Sequence, residues 1–232
     1  MINRGKMSAV VAVRKGSQRL KNKNLRQLGG MSLLERKLKV LNIVKDSGYL
    51  DEIIVNSDCD EMLSIGNSFG CKTHKREAYY ASSECSNSEF HCHMGKNTDT
   101  DIIFLAPVCS PYVSVKSHIE AIRKFHESDC DSLTSVEKVK NHLWLNGKPI
   151  NYDLENVPNS QDLPDVLKLT YSITIATKEV MANLRRVVGR KPEFYLLNEI
   201  ESIDIDTPFD FAVASSVYEN EELYDWGSFY DR

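Results

Sequence analysis

The sequence has no long apolar run. No stretch approaches the roughly 20 apolar residues that a membrane-crossing helix needs, which excludes an integral helical membrane protein. The opening segment, MINRGKMSAVVAV, has too short an apolar run for a secretory signal and no small-residue cleavage site, so a cytoplasmic location is expected. The six cysteines, at 59, 71, 85, 92, 109 and 130, include no C-x-x-C pair. In a chain of this length without a signal, free thiols are expected rather than a disulfide framework. Neither G-x-x-x-x-G-K-[ST] nor G-x-G-x-x-G occurs, so the ATPase phosphate loop and the dinucleotide fingerprint are both excluded. Internal repeats and low-complexity tracts are also missing.

Acidic residues are absent from one place in particular. No Asp or Glu precedes Glu35, while the first 34 residues carry eight Lys and Arg. The whole chain has a net charge of −4, so that +8 at one end leaves −12 for the remainder. A uniformly basic protein would suggest nucleic acid. One basic stretch on an acidic body suggests a small polyanion, against the plainer alternative of a solvated terminus. The stretch VAVRKGSQRLKNKNLRQLGG, 11 to 30, holds Arg14, Lys15, Arg19, Lys21, Lys23 and Arg26 immediately after an apolar run.

Strand-like and helix-like segments alternate along the chain. Runs at 8–13, 52–58, 101–108, 132–136, 171–177 and 194–197 read as strands. Leu33, Leu34, Leu38, Leu41 and Ile43 suit one face of a helix, and 115–125 suits another. This pattern predicts an α/β fold with a mostly parallel sheet and helices on both faces. Ligands of such sheets bind beyond the carboxyl ends of the strands, where the basic stretch lies. The length suits a single domain over 1–232. Within it, 139–166 breaks the rhythm: rich in Asn, Pro and Asp, it reads as an inserted segment for association or acceptor binding. Trp144 and His142, inside it, read as association or core residues.

Several residues are suited to chemistry. Gly16 and Ser17 allow backbone donors to approach a ligand, Ser17 adds a hydroxyl, and Arg14 and Lys23 are charge clamps; together they suit a triphosphate. Near the other end, ESIDIDTPFD places Asp204 and Asp206 two residues apart, on one side of a strand. Adjacent carboxylates repel unless a cation sits between them, and hard oxygen donors at that spacing suit Mg²⁺. Asp206 also stands where it could cap a helix starting near Pro208. Asp58, three residues before Glu61, has capping-box spacing and is expected to cap a helix. HCHM, 91 to 94, has no second cluster to complete a zinc site and reads as structural or as surface.

AVRKGSQRLKNKN, 12 to 24, resembles the N-terminal signature of the CMP-sugar synthetases, the acylneuraminate cytidylyltransferases. SIDIDTPFD, 202 to 210, looks like that family's metal segment, and NSQDLPD, 159 to 165, is similar to a stretch before its late strand. The resemblance runs from about 8 to 215. It implies a Rossmann-like three-layer nucleotidyltransferase fold with a small dimerisation excursion. It implies that Arg14, Ser17 and Lys23 contact the nucleotide phosphates, that Asn24 approaches the nucleotide, and that Arg76 and Asn87 lie near the base. Gln161 would bind substrate, and Asp204 and Asp206 would hold Mg²⁺. The chain departs from the pattern at several positions. Gln18 replaces a phosphate-binding lysine, with Arg19 beside it as a substitute. APVCSP, 106 to 111, lacks the family's glutamine, and Pro107, Val113, Ser160 and Thr170–Tyr171 depart on the acceptor side.

These readings converge on a cytidylyltransferase joining CTP to a sialic acid-like 2-keto-3-deoxy sugar acid and releasing pyrophosphate. Arg14, Lys23 and Asp206 would carry the chemistry, Asp206 as metal ligand or general base. The expected partners are CTP, a small acidic sugar and a second copy of the chain, with neither nucleic acid nor membrane. Two rivals stay open: a nucleotidyltransferase with Kdo or a non-sugar acid as acceptor, and a non-catalytic nucleotide-binding protein.

Overall fold

Alternation along the strand Met7–Ala12 divides the core in two. Ala9 and Val11 face one way, joining Ile102, Phe104 and Ile175 against Leu33, Leu34, Leu38, Leu41, Ile122 and Phe125. Val10 faces the other way, joining Ile103 and Ala176 against Met94, Val180 and Met181. A strand buried on both faces in this way requires a helical layer on each side. The computed structural model describes residues 5–220. Residues 1–4, where the opening segment begins, and 221–232 lie outside the described residues, as do both ends of the expected 1–232 domain.

In chain order the strands are β1 (Met7–Ala12), β2 (Gln27–Leu28), β3 (Met31–Ser32), β4 (Glu52–Ser57), β5 (Lys72–Lys75), β6 (Ile102–Leu105), β7 (Ser132–Val139), β8 (Trp144–Leu145), β9 (Lys148–Pro149), β10 (Val166–Thr177) and β11 (Pro192–Leu196). The helices are α1 (Leu33–Asp46), α2 (Asp60–Ser68), α3 (Ala78–Ala81), α4 (Asn87–Asn97), α5 (Val115–Glu127), α6 (Lys178–Leu184) and α7 (Pro208–Glu219). Seven strands form one sheet in the order β11-β7-β10-β6-β1-β4-β5. Every neighbouring pair is parallel except those of β10, which runs against both β6 and β7. The expected α/β class with a mostly parallel sheet is therefore the observed one. From β1 the chain adds β4 and β5 on one side and then returns to place β6 on the other. The switch point thus lies between β1 and β6, the usual position of a ligand crevice.

Local chemistry sets the helix starts. Ser32 with Glu35 and Ser86 with Glu89 form capping boxes for α1 and α4. Gly95 lets α4 approach α6 closely, since a Cβ there would lie 2.5 Å from the Ala182 backbone nitrogen. Two expectations are corrected. Asp58 is not a helix cap: α2 starts one residue later than the capping-box spacing requires, with Cys59 at its N-cap and no side-chain capping bond. Asp204 and Asp206 lie on an extended segment rather than in a sheet strand, tied to the neighbouring loop by Ile205 N–H donating to the Cys109 carbonyl at 2.8 Å. Thr207, not Asp206, caps α7, in a capping box with Asp210.

The 139–166 segment leaves the sheet where β7 ends and returns where β10 begins. It carries the β8–β9 hairpin and a 3₁₀ turn at Ser160–Asp162. The β7–β10 register shifts between Leu169 and Thr174, and Tyr171 in that bulge has φ +55°.

Candidate active site

The basic stretch becomes a loop because the chain turns sharply on leaving β1. Val13 N–H still donates to the Asn56 carbonyl at 3.0 Å, extending the β1–β4 ladder. Beyond it, Gly16 adopts φ +89° and Asn22 φ +55°, conformations that glycine and asparagine tolerate best. Arg14 Nη1 donates to the carbonyls of Ala81 and Ser82 at 2.8 and 2.9 Å. Lys15 N–H donates to Asp58 Oδ1 at 2.9 Å. Asn24, nearly buried, donates from Nδ2 to the Arg14 carbonyl at 3.0 Å and so ties the two ends of the loop together. Asp58, expected at a helix start, therefore belongs to this loop.

Two cavities flank the carboxyl ends of β1 and β6. The first, about 400 Å³, is lined by Arg14, Ser17, Gln18, Lys23, Asn24 and Asp206, among others. The second, about 410 Å³, is lined by Asn87, Phe90, His91, Thr170, Tyr171 and Asp204, among others. Ala12, Pro107 and Cys109 belong to both walls, so the cavities meet at the sheet's switch point. The first is rich in cations, whereas the second contains no Lys or Arg and has a largely apolar wall.

Asp206 lines the first cavity with both carboxylate oxygens engaged. Lys23 Nζ is 2.9 Å from Oδ1 and Arg19 Nη2 is 2.8 Å from Oδ2. The alternation expected of this segment holds: Ile205 is fully buried, while Asp204 is exposed and Asp206 half-exposed. Burial, with Asp204 next in effect, pushes the Cys109 thiol up to about 12, so it stays protonated between the two aspartates and Lys23. Among the described residues no cluster of three or more His, Cys, Asp and Glu forms a metal site. The donors that could hold a divalent cation here are Asp204 and Asp206, completed by substrate oxygens, and hard carboxylates of this kind fit Mg²⁺.

Most residues singled out in the sequence come together. Arg14, Ser17, Gln18, Lys23, Asn24 and Asp206 share the first cavity, and Asn87 and Asp204 share the second. Arg76 and Gln161 line neither. Arg76 is 5 % exposed. Its Nε donates to Asn56 Oδ1 at 2.5 Å and its Nη2 to the Asn56 carbonyl at 2.6 Å. It lies over the Phe90 ring, 5.0 Å from the centroid. Arg76 thus supports Phe90, in the wall of the second cavity, from behind. Burial works against its charge and nearby Asp58 favours it. Gln161 is exposed in the 3₁₀ turn of the excursion. In the HCHM segment, His93 stacks on Tyr80 at 3.6 Å between ring centroids.

The sequence reading missed Asn56, Asp58 and Cys109 as members of the site. Asn56 had a visible mark: a polar side chain directly after the apolar run Ile53 to Val55 of a strand.

A family-wide sequence profile described as "Cytidylyltransferase" matches residues 8–225. The chain is 25% identical over 217 residues to the N-acylneuraminate cytidylyltransferase A of Danio rerio, covering 90% of this chain and 50% of that one. It thus spans about half the length of that relative. It is 26% identical over 230 residues to the CMP-N,N'-diacetyllegionaminic acid synthase of Legionella pneumophila, covering 92% and 97% of the two chains. Among solved structures, a CMP:2-keto-3-deoxy-manno-octonic acid synthetase complexed with CTP superposes with a TM-score of 0.66 at 13% identity, covering 93% of this chain and 99% of the other.

Proposed function

The chain belongs to the cytidylyltransferase family, and from that premise we propose that it transfers cytidylate from CTP to the anomeric hydroxyl of a sialic acid-like 2-keto-3-deoxy sugar acid. The observation that carries this reading is the junction of a cationic cavity with a cation-free one at Ala12, Pro107 and Cys109. The triphosphate belongs in the first, and the second takes the base against Asn87 and Phe90 and the acceptor toward Tyr171 and Asp204.

The acceptor oxygen attacks the α-phosphorus of CTP. A phosphorus–oxygen bond forms, the α–β bridging bond breaks, pyrophosphate leaves and the hydroxyl gives up its proton. Transfer of this type depends mainly on positioning and charge stabilisation. Arg14, Lys23 and Arg19 neutralise the phosphates that become pyrophosphate, and Ser17 and Gln18 add neutral donors. The open turn at Gly16 leaves the loop backbone free to approach phosphate oxygens. Asn24 keeps the loop closed on itself. Asp204 and Asp206 would hold Mg²⁺, which when bound polarises phosphate oxygens and lowers the pKa of a hydroxyl. Asn87 and Phe90, with Arg76 behind them, form the wall nearest the base, whose small size favours CTP over ATP and GTP.

A homodimer is part of the proposal. Trp144, Leu145 and Ile150 on the excursion are 53%, 60% and 57% exposed, a poor surface for a free monomer and a plausible centre for an interface with a second copy. Gln161, on the same excursion, would then serve the partner's site.

The test is pyrophosphate release from CTP and Mg²⁺ with sialic, legionaminic, pseudaminic and Kdo acids as acceptors. Release with one of the first three supports the reading; release with ATP or GTP at comparable rates contradicts it. A second reading, with Kdo or a non-sugar acid as acceptor, is favoured by Tyr171. This tyrosine occupies φ +55° and lines the second cavity, at a position where the chain departs from the family pattern on the acceptor side. Binding of CTP with no release for any acceptor would leave a non-catalytic nucleotide-binding protein.

A further inference from the structure

Beneath the two cavities lies a charge with no direct partner. Lys37, in the second turn of α1, is 2 % exposed, and its Nζ makes no hydrogen bond among the described residues. Its helix neighbours Leu33, Leu34, Leu38 and Leu41 form the apolar core expected of that face. An apolar side chain of the same length would suit the position better, because an unpaired buried ammonium is costly. Burial accordingly lowers Lys37 to about 8.

Its surroundings connect it to the site. The charge that favours its ammonium belongs to Glu201, three residues before Asp204; the Cys109 thiol, in the loop after β6, lies within the same field but is itself protonated. From α5 the facing group is His118, which burial and then the Lys37 charge hold down at about 3, so it stays neutral. Glu201 is occupied with other donors. Its Oε1 accepts from Ser114 N–H at 2.9 Å and from the hydroxyls of Ser114 and Ser117 at 2.7 Å each, and its Oε2 accepts from Asn198 Nδ2 at 3.1 Å. Cys109 stands in the wall common to both cavities, and its carbonyl anchors Ile205 between the two aspartates.

We infer that Lys37 is a positioning residue for the transfer: its buried ammonium acts through Cys109 and the Glu201–Asp206 segment to hold the shared wall in place and to keep its potential positive toward the reacting phosphate. This rests on the cytidylyl-transfer reading. A core charge that lowers stability while serving a site is a known form of trade between stability and activity. A lysine that merely filled the core would give a different result: its neutral replacement would stabilise the protein and change nothing else.

The experiment uses the full chain with Lys37→Met, and Lys37→Gln should the methionine variant not fold. Melting temperature, the thermal shift caused by CTP with Mg²⁺, and the pH profile of kcat are measured beside the wild type. The variant is expected to melt higher at pH 7 yet turn over about tenfold more slowly, a loss of the size that one removed electrostatic interaction gives. Its CTP-induced shift should shrink, and the fall of wild-type kcat above about pH 8 should be absent from its profile. Wild-type turnover with an unchanged profile in the folded variant overturns the inference. So does a lower melting temperature accompanying the lost activity, since Lys37 would then be a folding element. Should the wild type release no pyrophosphate with any acceptor, the cytidylyl-transfer reading fails by itself. The CTP-induced shift then decides on Lys37: a reduced shift supports its role and an unchanged one overturns it.

Discussion

The Lys23 ammonium and the Asp206 carboxylate, 183 positions apart in the chain, lie 2.9 Å from each other. With Arg19 on the other oxygen, this contact joins the basic loop to the aspartate segment. Asp206 is therefore the counter-charge of the cationic cavity as well as a candidate metal ligand, and in the proposed reaction CTP would share these cations with it.

Asp206→Asn is expected to lower kcat by about 10² to 10⁴ with the fold intact, the range that a lost metal contribution of several kcal/mol gives. The replacement is nearly isosteric, and it removes the negative charge that competes for Lys23 and Arg19. KM for CTP should therefore stay level or fall while kcat collapses. Asp204→Asn should be impaired too, with partial rescue by excess Mg²⁺. Steady-state kinetics under Mg²⁺ titration, with circular dichroism as the folding control, check both.

Asp58 should matter through the loop rather than through α2. Its Oδ1 accepts the Lys15 N–H, a bond that an asparagine oxygen can also accept. Asp58→Asn is expected to be mild. Asp58→Ala should raise KM for CTP about fivefold, the equivalent of about 1 kcal/mol for one lost hydrogen bond. Helix content should be unchanged in both variants, and equal KM values for Asn and Ala would remove Asp58 from the site.

Lys37 also makes a prediction about stability alone. Folding lowers its pKa from 10.5 to about 8, so the folded chain binds this proton less tightly than the unfolded one. The cost is fully present below pH 8 and disappears as the pH rises through 10.5. Lys37→Met should therefore gain on the order of 3 kcal/mol over the wild type at pH 7, and the gain should shrink toward pH 10. Urea unfolding of the two proteins at both pH values measures it. A gain that does not vary with pH would reflect methionine packing rather than removal of the charge.

The chain should be a dimer at micromolar concentration by light scattering. Leu145→Asp, which places a charge at the tip of the excursion, should give a folded monomer. A monomeric wild type would leave Trp144, Leu145 and Ile150 with no second copy to cover them.

Six strands of the main sheet were legible as short apolar runs, and Asp204 and Asp206 because Ile203 and Ile205 mark the alternating inner positions; the edge strand β5, Lys72–Lys75, was not read, since its polar KTHK run leaves no apolar mark. The direction of β10 was not legible, since antiparallel pairing leaves no trace in a run buried on both faces. Asp58 was misread because capping-box spacing says nothing about where the backbone first turns helical; here α2 waits until Asp60. Arg76 was placed near the base by resemblance, but its partner Asn56 lies 20 positions away. No local pattern pairs a strand asparagine with a loop arginine. Lys37 carries no local mark of its burial: His118, the group that faces it from α5, lies 81 positions away.

The excursion begins and ends on paired residues, since Val139 and Val166 are partners in the β7–β10 ladder. Its ends are therefore held together whatever lies between them. The entropy of closing that loop depends only weakly on its length, so the excursion is a replaceable module. An excursion of different length and sequence, grafted between 139 and 166, would leave the sheet, the basic loop and the aspartate pair undisturbed. On the proposed reading, acceptor range and subunit pairing would change together, by exchange of one contiguous segment, while the residues proposed to handle the triphosphate stayed as they are.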